Sequence, residues 1–126
     1  MGDVFRAACE RAGKKADVLV RKVADSVMSE LVERSPVDTG RFKSNWRISV
    51  GAIDTSTDAS TNYAANTGKL QQAVLGWDAK SAIYLTNSLP YARRLEEGWS
   101  QQAPSGMVGL TVQRWRAILG DAVSAI

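Results

Sequence analysis

Between Ala16 and Leu31 the apolar residues Ala16, Leu19, Val20, Val23, Ala24, Val27, Met28 and Leu31 recur every three or four positions, while Asp17, Arg21, Lys22, Asp25, Ser29 and Glu30 take the other face. The spacing predicts an amphipathic helix that ends just before Pro36, whose ring disfavours helical backbone in the residue ahead of it. Asp17 with Arg21 and Glu30 with Arg34 are acid-before-base pairs one helical turn apart, each worth about 0.3–0.5 kcal/mol if exposed. Upstream, Val4, Phe5, Ala8 and Ala12 continue the helix through Gly13 with some local weakening, so residues 1–15 read as a flexible helical arm.

Beyond Pro36 the pattern changes. Asp38 or Thr39 can cap a single turn, and Trp46, Ile48, Val50 and Ala52 then alternate with Arg47, Ser49 and Gly51, the period of a half-buried strand. Asp54 to Asn62 is rich in Ser, Thr and Asp without apolar periodicity and reads as an exposed, mobile loop. Thr67 can cap a short helix with Leu70, Ala73, Val74 and Trp77 on one face. A second strand is predicted over Ala82–Thr86, and Leu89-Pro90-Tyr91 opens another short helix with Gly98 as its C′ residue. A last amphipathic helix starts at Ser105 and carries Val108, Val112, Trp115, Leu119, Ala122 and Ile126. The expected fold is α+β in one domain over residues 1–126: a long N-terminal helix and a C-terminal helix packed on a small antiparallel sheet, with short intervening helices. No internal repeat is present.

Composition narrows the chemistry. The 126 residues are 44% hydrophobic and 23% charged, with no apolar run near the roughly 18 residues of a membrane span. The start Met1-Gly2-Asp3-Val4-Phe5-Arg6 lacks the basic and apolar stretches of a secretory signal, so synthesis in the cytoplasm is expected, and Arg6 stands where a myristoylation motif wants Ser or Thr. A single cysteine, Cys9, excludes an intramolecular disulfide and a multi-cysteine zinc site. With no histidine, Ser-His and Cys-His nucleophile systems cannot be built. No cofactor, metal or catalytic residue is expected. The net charge of +3 would help contact with nucleic acid, and Lys14, Lys15, Arg21, Lys22, Arg114 and Arg116 can form basic patches on two helices, yet acids and bases are interspersed as on any solvated surface.

Asp38-Thr39-Gly40 has the letters of an aspartic-protease site, whose chemistry needs two such aspartates sharing a proton on a largely β scaffold. Between a long helix and a chain that closes on another helix, a turn and helix cap is the simpler reading. In Tyr91-Ala92-Arg93-Arg94-Leu95-Glu96-Glu97-Gly98 the arginines precede the glutamates, the reverse of what the helix macrodipole favours, at about 0.3–1 kcal/mol per exposed charge. Either these charges make surface salt bridges, or they face another protein and fix register there. The candidate contact surface is Arg93, Arg94, Glu97, Trp99, Gln101 and Gln102. Of four tryptophans, Trp46, Trp77 and Trp115 fit core faces. Trp99 lies outside any periodic face, either an interface anchor or packed back across Gly98.

Taken in order, Ser35-Pro36-Val37-Asp38-Thr39-Gly40, Trp46, Ile83-Tyr84-Leu85-Thr86-Asn87, Tyr91-Ala92, Leu95-Glu96, Gly98, Ser100 and Gln102-Ala103-Pro104 resemble the minor tail, or neck, family of tailed bacteriophages, which includes tail-completion and head–tail joining proteins. The resemblance covers about residues 16–120. It implies an α+β virion subunit that assembles into a homo-oligomeric ring of sixfold-related symmetry at the head–tail junction. Its neighbours would be head-connector and tail proteins, with non-specific DNA contact in the channel and no membrane. Asp38, Thr39, Gly40, Asn87, Tyr91, Glu96, Gly98 and Pro104 would then serve fold and assembly. The neighbouring tail-terminator position and a small basic nucleic-acid-binding module are the alternatives.

Overall fold

A computed structural model of the chain describes residues 2–37, 39–98 and 106–126. Its elements are α1 (Gly2–Ala12), a 3₁₀ turn (Gly13–Lys15), α2 (Ala16–Arg34), a second 3₁₀ turn (Lys43–Asn45), β1 (Trp46–Val50), α3 (Tyr63–Leu75), β2 (Ile83–Asn87), α4 (Ala92–Glu96), α5 (Val108–Gln113) and α6 (Trp115–Ser124). This is the α+β class expected. β1 and β2 form a two-stranded antiparallel sheet in the register Trp46 with Asn87, Ile48 with Leu85 and Val50 with Ile83.

The apolar stripe of α2 serves two cores. Its second half places Met28 and Leu31 against Phe42, Trp46, Leu70, Leu89 and Met107, with Ile48 and Leu85 of the sheet beside them. Its first half places Leu19 and Val23 against Ala8 of α1 and Ile118, Leu119 and Ala122 of α6. The helix stops where the sequence says it should. Ser35, with extended backbone, donates its hydroxyl to the Leu31 carbonyl at 2.6 Å and accepts the Trp46 indole N–H at 2.8 Å, tying the helix end to the start of β1.

Several expectations are corrected. The N-terminal helix is not continuous: Gly13 adopts φ +56°, a left-handed conformation that interrupts helical hydrogen bonding and separates α1 from α2. α1 packs on the closing helices: Ala8 is fully buried and Phe5 lies 5.9 Å from the Trp115 ring. The short helix expected from Thr67 starts at Tyr63, capped by Asn62, which accepts the Ala65 N–H; Thr67 instead bonds back to the Tyr63 carbonyl within the helix. Trp77 lies past the end of that helix and donates its indole N–H to the Ser81 carbonyl.

The closing helix is two helices meeting at Arg114, and its expected start at Ser105 lies outside the described residues. α6 packs on α1 and α2 in the second core rather than on the sheet face. On α5 the expected apolar face is turned outward. Val108 and Val112 are 44% and 47% exposed, while Thr111 is buried with its hydroxyl satisfied by the Met107 carbonyl at 2.9 Å.

Candidate assembly surface

α4 begins after Tyr91, which caps it without a side-chain bond, and Pro90 stands one residue ahead rather than inside its first turn. The helix ends as predicted, with Gly98 at C′ in the left-handed region at φ +90° and its N–H on the Leu95 carbonyl. Arg93, Arg94 and Glu97 are all exposed, and Arg93 pairs with Glu97 at 3.5 Å across one turn. Trp99, Gln101, Gln102, Pro104 and Asp38 lie outside the described residues.

Glu96 explains half of the inverted charge order. Its carboxylate leaves α4 and accepts the backbone N–H groups of Met107, Val108 and Gly109 at 2.8, 2.8 and 3.0 Å, so it caps the next helix rather than its own. Partial burial raises the Glu96 pKa, but the three N–H donors outweigh it and hold the carboxyl below its ordinary range. Gly106 lies directly over this cap at φ +79°, where a β-carbon would stand 2.5 Å from the Glu96 carbonyl oxygen.

The other motif positions also act inside the fold. Gly40 is buried at φ +88°, and a β-carbon there would meet the Thr61 carbonyl oxygen at 2.6 Å. Thr39 accepts the Arg41 N–H through its hydroxyl, the turn that Asp38-Thr39-Gly40 was expected to make. Asn87 donates its amide to the Phe42 carbonyl at 2.9 Å and accepts the Leu89 N–H. Tyr91, Leu95 and Thr39 come together with Pro36, Arg41 and Phe42 around a groove of about 350 Å³ on one side of α4.

Residues 55–62 are exposed and Asp54 is half-buried, and the segment is tied to the strands and the turn before them by several bonds. Asn45, fully buried, donates to the Asp58 carbonyl and accepts the Asp58 N–H at 2.8 Å, Arg47 reaches the Asp58 carboxylate at 3.1 Å, and Thr86 donates to the Asp54 carbonyl at 2.7 Å. Sequence reasoning missed these bonds of Asn45 and Arg47 because a contact with a segment about ten residues further on leaves no periodic signal. It also missed Glu30, which receives Arg114 at 2.6 Å from across the α2–α6 groove. Of the basic residues expected to form patches, Arg21 is held by Asp17 and stacks over Trp77, Arg114 is held by Glu30, and Arg116 lines a groove between α1 and α6 together with Arg11.

The motif residues that the structure describes thus brace turns, caps and helix ends. The family model described as "Bacteriophage HK97-gp10, putative tail-component" matches residues 3–98. The chain belongs to this HK97-gp10-like family of phage tail components. The matched span takes in α1 to α4 and stops before α5 and α6. No curated protein and no solved structure matches the chain.

Proposed function

We propose that this tail component works at the head–tail junction as a neck, or tail-completion, subunit in a homo-oligomeric ring around the DNA passage, with no catalytic step of its own. Membership of the tail-component family over residues 3–98 carries the reading, and the ordered motifs from Ser35 to Pro104 support the junction position within it. The surface is suited to such a role. A ring needs head-to-tail contacts between two different patches, and exposed apolar residues stand on separate elements, Val108 and Val112 on α5 and Leu75, 73% exposed, at the end of α3.

Phage lacking this protein are expected to accumulate filled heads and finished tails that fail to join; normal particles from that mutant refute the proposal. Electron microscopy of joined particles with the subunit labelled separates tail-completion from the tail-terminator position. Direct DNA binding is the second reading, favoured by Arg11 and Arg116 on one groove. It requires affinity that falls steeply with salt, and no binding at low salt ends it.

A further inference from the structure

Among the described residues the sheet has one covered edge and one bare edge. Gly51 donates its N–H to the Ala82 carbonyl at 2.9 Å, which makes Gly51 and Ala82 a hydrogen-bonded pair at the end of the ladder. Antiparallel ladders alternate, so Tyr84 and Thr86 turn their backbone groups toward β1, whereas Ile83, Leu85 and Asn87 turn theirs away from it. The same alternation turns the Trp46 carbonyl of β1 outward, where it accepts the Asn66 side-chain amide of α3. The outward N–H and carbonyl groups of Ile83, Leu85 and Asn87 have no hydrogen-bond partner among the described residues. Natural edges are commonly blunted by lysine, proline or a bulge. Ile83-Tyr84-Leu85-Thr86-Asn87 has no charge and no proline and runs in unbroken register.

We propose that the free edge of β2 is a pairing site for the β2 strand of a second copy, running antiparallel across a twofold axis to make a four-stranded sheet. The geometry selects one register. Only residues with outward backbone groups can form hydrogen-bonded pairs, and placing Leu85 opposite its own copy, with Ile83 opposite Asn87 on either side, engages all of them. An uncharged strand meets its own copy without like-charge repulsion, and the strand face that carries Ile83 and Leu85, the latter packed on the core, becomes continuous across the axis. This contact is isologous, whereas a cyclic ring is built head to tail. It is therefore a property of the free chain that covers an otherwise aggregation-prone edge, and it does not depend on where in the particle the protein acts.

In this register Tyr84 of one copy faces Thr86 of the other as a non-hydrogen-bonded pair with Cα atoms about 4.5 Å apart, within disulfide reach. Two copies of Tyr84 are offset by about two residues along the strand, beyond that reach. In a Cys9→Ala background, separately purified Tyr84→Cys and Thr86→Cys chains should form a disulfide-linked dimer under mild oxidation when mixed, and neither should do so alone. The unsubstituted full chain should show twice its own mass by light scattering, and Tyr84→Lys should weaken that association about tenfold with an unchanged circular dichroism spectrum. A monomeric mass at every concentration overturns the proposal. Linkage in the mixture no faster than in the single variants does the same, whatever the fate of the lysine variant.

Discussion

Removing the Glu96 carboxylate should loosen the closing helices from the rest of the molecule, by an amount that follows from its three partners. In Glu96→Ala the N–H groups of Val108 and Gly109 can turn to water, because both residues are exposed. Met107 is only 2% exposed, so its N–H is left unpaired, a loss of about 1–3 kcal/mol for one buried donor. At about 2.1 cal/mol/K of unfolding entropy per residue, each kcal/mol moves the melting point by roughly 4 °C in a chain of this length, so a drop of about 4–12 °C is expected. Glu96→Gln keeps one good acceptor and should fall between the two.

The pH dependence of this cap has a definite sign. Because the folded-state pKa of Glu96 is depressed, its contribution is complete above the unfolded value of about 4.3 and disappears as pH falls through the lower folded value. The gap in melting temperature between the unsubstituted chain and Glu96→Gln should therefore be wide at neutral pH and close in strong acid. Thermal melts followed by circular dichroism give both numbers, and amide exchange at Met107 reports the local opening. An alanine variant that melts within a degree of the parent, or a gap that stays constant into acid, would refute the capping account.

Other substitutions probe other parts of the fold and its proposed contacts. Gly40→Ala combines a left-handed backbone, worth about 1–2 kcal/mol against alanine, with a β-carbon 2.6 Å from the Thr61 oxygen, so the melting point should fall by more than the backbone term alone predicts. Asp25, half-buried on α2 with one carboxylate oxygen lacking a hydrogen-bond partner among the described residues, has its pKa raised by burial, an effect Lys22 only partly offsets. A raised folded pKa in an acid destabilises the fold above that value and not below the unfolded one. Asp25→Asn should therefore melt higher than the parent at neutral pH, with the difference vanishing in acid, as a pH series of melts will show. Val112→Asp, on the exposed face of α5, should change monomer stability by no more than about 0.5 kcal/mol while reducing the yield of joined particles; full yield would remove that face from the proposed contact.

How far the sequence could be read depended on whether a residue acts through a period or through a single long-range bond. α2, β1 and β2 were legible because a continuous stripe or alternation meets a continuous core, as Leu19, Val23, Met28 and Leu31 do. The face of α5 was not legible, because the break at Arg114 resets the helical phase and a stripe counted from Val108 to Ile126 runs through it. Thr111 could be buried there in place of a valine because its hydroxyl has a carbonyl one turn back. The attachments of residues 54–62 were not legible for a related reason: they come from Asn45 and Arg47, which precede the segment by about ten residues and leave no mark on its composition. Glu96 looked misplaced only because the helix it serves starts twelve residues later.

That reassignment of Glu96 also sharpens which charges bear on assembly. Once Glu96 belongs to α5, and Gly40, Asn87 and Gly98 are accounted for by a close approach, two hydrogen bonds and a left-handed cap, what remains of the motif's outward face among the described residues is Arg93, Arg94 and Glu97. The Arg93–Glu97 pair cannot owe its place to fold stability: with the Arg93 side chain 91% exposed, such a pair contributes about 0–1 kcal/mol at most. A five-residue helix also has little macrodipole for the inverted order to oppose. Rim charges of this kind set encounter rate and register more than affinity, and apolar anchors supply the rest. In the proposed ring α4 then fixes orientation, and the neighbouring exposed face of α5, with Val108 and Val112, supplies the apolar contact area. The carboxylate of Glu96, bridging the two helices, holds both parts of that surface in one geometry.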